Sequence, residues 1–401
     1  MASDKSGGAL EGLRVLDLTR ILAGPLCTQI LGDMGADVIK VEPPGTGDDT
    51  RSWGPPFTGD ESAYFLGVNR NKRSVTLNMA TKAGQEILAQ LIKRSDVLVE
   101  NFKLGTLEKW GFGNDWLEQN APQLIRCSIT GYGSRGPDAG LPGYDFILQA
   151  ESGLMSICGE AEGMPTKYGV AIVDVVTGLY ACNSVLGALA ARHRTGRGQH
   201  VEVCLYDSGI AMLINVASNF LVSGKDARRF GNGHPTIVPY TTYPTADGTI
   251  AVAVGNDNQF VRFADTVGHP EWARDPRFAK NPDRVINREA IDLAIADALK
   301  ADRTESWITN LRAVGVPCGP INTVAEALND PHTLARDMVR TVGHAAAGEL
   351  KLVGIPFEMN GTPATIRRPP PLLSEHTDEV LVGELGLSAE RLATLRAEKV
   401  V

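Results

Sequence analysis

The stretch Val15-Leu16-Asp17-Leu18-Thr19-Arg20-Ile21-Leu22-Ala23-Gly24-Pro25, running on to Gly35-Ala36-Asp37-Val38-Ile39-Lys40-Val41-Glu42, decides the fold. Val15 to Leu18 is a short apolar strand. The loop 19–24 leads to Pro25, whose fixed φ suits a first helical residue. Leu26, Ile30, Leu31 and Met34 then keep helical spacing, and Gly35 can close the helix. Val38 to Glu42 is a second strand, stopped by Pro43-Pro44-Gly45. Strand, helix and strand make a βαβ unit, with the right-handed parallel crossover such units adopt.

The pattern repeats outward from this unit. Residues 74–77, 96–100 and 124–129 read as strands, and 82–93 as an amphipathic helix. Alternating strands and helices predict an α/β, doubly wound, mostly parallel, Rossmann-like sheet, which binds ligands beyond the carboxyl ends of its strands. The loops expected there are 19–24, 42–53, 100–105 and 131–136. The first lacks G-x-G-x-x-G, so a nicotinamide oxidoreductase is poorly supported, although Glu42 stands where a ribose-binding acid would. A long helical stretch covers 170–193, with Asp174 near its start, and 195–198 breaks it. A strand at 201–205 and a helix at 207–221 follow. Beyond Gly224 come strands at 240–243 and 250–254 and helices at 258–267, 288–299 and 305–313. The expected organisation is a large α/β domain from 1–200 and 331–401, a smaller α+β domain at 225–325, and linkers at 201–224 and 326–330.

Composition narrows the function classes. The chain has 401 residues, 43% hydrophobic and 21% charged, with a formal net charge of -8. That balance fits a globular enzyme and speaks against nucleic acid as the main partner, since phosphate backbones require a basic face. Six cysteines lie far apart without a C-x-x-C pair, as expected of small buried hydrophobes, and no metal-ligand spacing occurs. The polar N-terminus does not read as a signal peptide, and the uncharged run 175–191 is short of the ~20 residues that span a bilayer. The expectation is a cytoplasmic protein with no membrane partner.

Several segments together carry a resemblance. The 15–42 stretch, Asn69-Arg70-Asn71-Lys72-Arg73-Ser74, Val99-Glu100-Asn101-Phe102, Gly131-Tyr132-Gly133, Thr195-Gly196-Arg197-Gly198-Gln199 and Gly315-Val316-Pro317-Cys318-Gly319-Pro320 resemble the class III (CaiB/BaiF-type) CoA-transferases. The proline-rich 368–377 segment does too. Asp48 to Phe57 and Ile237-Val238-Pro239-Tyr240 look most like the succinyl-CoA:glutarate branch. The resemblance implies an interlocked, ring-like homodimer, no permanently bound cofactor, and coenzyme A as co-substrate. It implies transfer of CoA from an acyl-CoA to a free carboxylic, here dicarboxylic, acid through an aspartyl anhydride and thioester.

The same resemblance implies site residues. The nucleophile falls on Asp174 by likeness to the glutarate branch; by likeness to formyl-CoA transferases it falls on Glu162, a Glu where that branch has Asp. Asp174 also follows an apolar run and opens a helix, where the dipole favours an ionised carboxylate, although Asp is equally a favoured N-cap. CoA contacts carry over onto Leu22, Ala23, Leu77, Asn78, Met79, Ala80, Asn101, Phe102, Lys109 and Tyr132. Pro43 and Thr130 stand where formyl-CoA enzymes have cations, which leaves Lys72, Arg73 or Lys103 for the phosphates. Arg20 suits a second carboxylate, which a guanidinium grips with two parallel bonds, and His234 is a further candidate substrate contact. An α-methylacyl-CoA racemase shares the family look, but its His would fall on Tyr144, a poor base near pKa ~10. A non-catalytic acyl-CoA-binding dimer is the remaining alternative.

Overall fold

The computed structural model describes residues 7–401. Six parallel strands form one sheet: β1 (Arg14–Asp17), β2 (Asp37–Glu42), β3 (Lys72–Thr76), β4 (Val97–Glu100), β5 (Ile125–Thr130) and β6 (His200–Cys204). Their order is β3-β2-β1-β4-β5-β6, that of a doubly wound sheet built from two mononucleotide-binding halves. Leu16 pairs with Ile39 on one side and Leu98 on the other.

The strands are buried on both faces, so their apolar residues alternate between two cores. Leu16, Ile39, Val75 and Leu98 point into one core, and Val15, Val38, Val97 and Val99 into the other. Helices α1 (Ala23–Asp33), α2 (Lys82–Lys93), α3 (Asp145–Glu151) and α4 (Ile172–Thr195) position the site and its surroundings. The side chain of Thr81 caps α2 by accepting from Gly84 N, and Ile87, Leu88, Leu91 and Ile92 form its buried stripe. The chain's last residues return to this core, where Leu381, Leu392 and Leu395 are buried.

Helix α4 is longer than the uncharged run inside it. Its 24 residues are enough, by length and composition alone, to cross a membrane. Val173, Thr177, Ala181, Val185 and Ala188 are nevertheless buried, most of them in the second core, as in the central helix of a globular unit. Gly178 permits that packing: a Cβ there would lie 2.7 Å from the Ala23 carbonyl oxygen of α1. The expected single helix over 207–221 is instead two, Leu205–Ala211 and Ile214–Ser223, bent by 72°.

The chain divides into two compact units. The first holds the described residues up to Leu154, with Tyr168–Ala217 and His332–Val401; the second holds Met155–Lys167 and Ser218–Pro331. The expected small domain at 225–325 lies within the second unit, and Met155–Lys167, assigned above to the large domain, groups with that unit as well. Hydrogen bonds explain the grouping. Arg229 donates from Nε to the Glu160 carbonyl and from Nη2 to that of Gly163, and Gly231 N donates to Gly159 O. The second unit has its own antiparallel sheet, β7 (Tyr240–Pro244), β8 (Thr249–Ala253) and β9 (Cys318–Pro320), over a core that includes Phe260, Phe263, Ile291 and Leu311.

Candidate active site

A cavity of about 200 Å³ opens beyond the carboxyl ends of β1, β4 and β5. It lies where the strand order reverses between β1 and β4, the position at which open α/β sheets bind ligands. Three segments build it: the loop after β1, the loop after β4, and the meeting of the β5 loop with the entry to α3 and α4.

The loop after β1 is strained and held. Ile21 has φ 73°, a left-handed conformation that costs a β-branched residue of order 1–3 kcal/mol. Asn101, from the loop after β4, accepts from Arg20 N at 3.0 Å and donates to Arg20 O at 2.8 Å. Asp48 accepts from Ile21 N at 3.3 Å, and its other oxygen from Lys40 Nζ at 2.9 Å. Arg20 itself reaches the half-exposed rim, where Nη1 donates to Asp49 Oδ2 at 3.0 Å.

Beneath that loop lies a buried ionic network. Lys72 Nζ donates to Asp17 Oδ2, the Pro25 carbonyl and Asn69 Oδ1, all within 3.0 Å. Burial alone would raise the Asp17 carboxyl, but Lys72, Lys40 and the hydroxyls of Thr19 and Thr28 hold it well below the carboxylate range. Burial also lowers Lys72 to about 8, opposed by Asp17. Asp48 is likewise held low, its burial outweighed chiefly by Lys40.

On the opposite wall two glycines face each other. A Cβ on Gly131 would lie 2.7 Å from Gly143 N, so the main chain itself forms the surface there. Gly143 leads to α3, whose first residue, Asp145, is buried. Helix α4 begins after Ala171 without a side-chain cap of its own. Asp145 supplies one from outside: its Oδ1 accepts from Val173 N at 2.8 Å and from Asp174 N at 3.4 Å. Gln149, one turn along α3, donates to Asp145 Oδ2 at 2.7 Å and accepts from Tyr168 N at 2.7 Å.

Asp174 is therefore the third residue of α4 rather than its cap. Its half-buried side chain lines the cavity together with Arg20. Burial, then the charge of Asp145, raise the Asp174 carboxyl to about 7, opposite in direction to the ionisation that a helix start favours.

The expected CoA contacts divide. Leu22, Ala23, Asn101 and Phe102 line the cavity, as do Lys103 and Thr130. Leu77 and Met79 are buried in the first core, so only their main chain is available to a ligand. Asn78 caps the Ala80 amide through its side chain, and Lys109 is exposed; neither lines the cavity, and nor does Tyr132, whose hydroxyl donates to Glu151 at 2.7 Å. Lys72 and Arg73 are not free for phosphates. Lys72 is fully enclosed with its three donors occupied, and Arg73 is 3% exposed and paired with Asp37, Glu379 and Glu384. Tyr144, the racemase position, lines the cavity and is largely exposed. Glu162 and His234 belong to the second unit. Glu162 is exposed in a turn closed by Gly163 N and Glu160 O; His234 is half-buried, its Nδ1 accepting from Thr236 N.

Asp145 escaped the sequence reading, and Asp48 and Asp49 entered it only within the stretch 48–57, without a role of their own. Capping is sought at the residue next to a helix, and Asp145 lies 29 positions before the amide it holds.

Comparison with known proteins places the chain in a family. The family model for CoA-transferase family III matches residues 10–377. The succinate--glutarate CoA-transferase of Agrobacterium fabrum is 42% identical over 392 residues, covering 96% of this chain and 97% of that one. The human succinyl-CoA:glutarate CoA-transferase is 41% identical over 372 residues, 93% of this chain and 85% of its own. Among solved structures, a CAIB/BAIF family protein from Brucella suis superposes with a TM-score of 0.84 at 42% identity, covering 94% of this chain and 99% of that one. A match across nearly the whole length, in sequence and in fold, leaves one assignment: the chain belongs to CoA-transferase family III.

Proposed function

We propose that this CoA-transferase moves CoA from succinyl-CoA to a free dicarboxylic acid, with Asp174 as the nucleophile. The observation that carries the reading is the shared cavity, in which a half-buried carboxyl and the guanidinium of Arg20 line one opening. The names of the relatives supply the substrate class.

The chemistry is a sequence of displacements. The Asp174 carboxylate attacks the thioester carbonyl, the C–S bond breaks, and CoA leaves as thiolate with a mixed anhydride behind it. The thiolate attacks the aspartyl carbonyl, releasing succinate and leaving an aspartyl-CoA thioester. The acceptor carboxylate attacks that thioester and expels the thiolate, which then takes the new acyl group and frees Asp174. Gly131, Gly140 and Gly143 bring bare main chain to the cavity wall, where amides suit the oxyanions. Arg20 grips the acceptor's distal carboxylate.

At about 200 Å³ the cavity is smaller than the ~300–1,000 Å³ of a whole-ligand pocket. It takes the reacting acyl end, with the rest of CoA extending past Phe102 and the exposed cation of Lys103. The working form is the interlocked homodimer. In its support, the helix Ile214–Ser223 buries none of its residues, and Leu221 and Val222 are 80% and 90% exposed, a face that a second copy would cover.

Incubation with succinyl-CoA and a panel of acids (glutarate, itaconate, mesaconate, malate, citramalate) tests the reading. A new dicarboxylyl-CoA with stoichiometric succinate supports it. Exchange of an α-hydrogen without a new thioester would indicate a racemase, and unchanged succinyl-CoA would leave only binding.

A further inference from the structure

We propose that Asp145 is a positioning residue for CoA transfer: it caps α4 from outside and so fixes the main chain of Asp174 and the charge against which its carboxyl must ionise. This inference rests on Asp174 being the nucleophile.

The geometry carries it. Asp145 Oδ1 is the acceptor for two successive amides at the start of α4, those of Val173 and Asp174. No residue beside α4 performs that task among the described residues. Gln149 locks the cap, because its two amide ends bond the free oxygen of Asp145 and the Tyr168 amide that precedes α4. One helix thus holds the segment 168–174 at two points, with the polar atoms of Asp145 enclosed. A serine or asparagine cap would have satisfied the same amides. A carboxylate adds a buried negative charge beside the nucleophile.

The groups facing Asp174 decide what that charge does. Arg20 lines the same cavity from the loop after β1 and is paired with Asp49. Tyr64, on the helix Ala63–Gly67, is held neutral: burial, then Asp174, Asp145 and Asp48, push its hydroxyl up to about 12. Asp145 is the charge identified as acting on Asp174, and with burial it holds the carboxyl at about 7. In the free enzyme near neutral pH the nucleophile is therefore in part protonated. It reacts as the carboxylate, so the ionised fraction sets the rate of the first displacement.

The test is the exchange of labelled succinate into succinyl-CoA, which needs no acceptor, followed from pH 5.5 to 9. The wild-type rate should rise with pH through a one-proton step near 7. Asp145→Asn leaves its amide nitrogen opposite the Gln149 donor, so Asp145→Ser is measured beside it. Either should move the step down by about one pH unit and keep the plateau within roughly tenfold. A step that stays in place in a variant retaining the plateau overturns the inference. If neither variant folds, ¹³C-carboxyl titration of wild type decides, with the Asp174 signal assigned by its loss in Asp174→Ala: ionisation below pH 5, or ionisation near 7 with a signal that does not respond to the Asp145 carboxyl, overturns the inference, and ionisation near 7 with that response upholds it. Exchange by Asp174→Ala at the wild-type rate would remove the nucleophile itself, whereas a dead Asp174→Ala with an unmoved step in Asp145→Asn removes only the role of Asp145.

Discussion

Asn101 holds Arg20 by both of its main-chain polar groups, accepting from the amide at 3.0 Å and donating to the carbonyl at 2.8 Å. The side chain imitates a strand neighbour where the loop after β1 has none. It thereby fixes the residue next to Ile21, whose left-handed backbone would otherwise relax. Asn101→Ala removes both bonds, at about 1 kcal/mol each. The expected outcome is a fall of about tenfold or more in kcat/KM for dicarboxylic acceptors, with Tm lowered by only a few degrees, read by steady-state kinetics and thermal unfolding. Kinetics at the wild-type level would show that the loop keeps its shape without the clamp.

Arg20 meets Asp49 through one nitrogen, Nη1, which leaves the rest of its fork for a substrate. Arg20→Lys keeps the charge and loses the fork. Turnover of dicarboxylic acceptors should drop by an order of magnitude or more, while CoA affinity and turnover of a monocarboxylic acceptor change little. Equal losses with both acceptors would make Arg20 a structural ion-pair partner of Asp49.

Lys72 and Asp17 are both fully enclosed and 3.0 Å apart. Lys72→Met breaks a buried ion pair and leaves the Asp17 charge to Lys40 and the hydroxyls of Thr19 and Thr28, a change that costs about 3–5 kcal/mol. Chemical denaturation at pH 7 should reveal that loss. Asp17 is held below its unfolded value, so its contribution is present above about pH 4 and lost as pH falls further. CoA affinity of the folded fraction should be unchanged, since Lys72 has no donor left for a phosphate. Weakened CoA binding with normal stability would reverse this assignment.

Asp174 carries the opposite sign. Its folded value, about 7, lies above the 3.8 of an ordinary aspartate. Between those values the folded chain keeps a proton that the unfolded chain has released. Raising pH through the window therefore destabilises the fold. Asp174→Asn, which cannot ionise, should have a higher Tm than wild type at pH 8 and the same Tm near pH 4. Stabilising an enzyme by neutralising its active site is a common exchange of function for stability. A lower Tm at pH 8 would mean that the ionised carboxylate is well accommodated.

Much of the fold was legible from residues 15–42, because parallel strands buried on both faces leave continuous apolar runs and the intervening helix keeps its period. Leu22, Ala23, Asn101 and Asp174 came from the resemblance to a known family, and they line the cavity because they stand where strands end and helices begin. Other features depended on contacts distant in sequence. Nothing local distinguishes Lys72, which turns inward to Asp17, from a surface lysine, and Leu77 reads the same whether its side chain faces core or ligand. The cap on α4 came from Asp145, on a different helix. The grouping of Met155–Lys167 with the second unit is accompanied by bonds from the Arg229 side chain to main-chain carbonyls, which leave no pattern in composition.

The central claim is that Asp174 becomes covalently attached to CoA during transfer. The most direct measurement traps wild-type enzyme in the presence of succinyl-CoA with hydroxylamine or borohydride, followed by peptide mass mapping. The label is expected on the peptide containing Asp174, and Asp174→Ala should lose transfer by orders of magnitude while still binding CoA. Label on the peptide containing Glu162, or transfer by Asp174→Ala near the wild-type rate, would contradict the account.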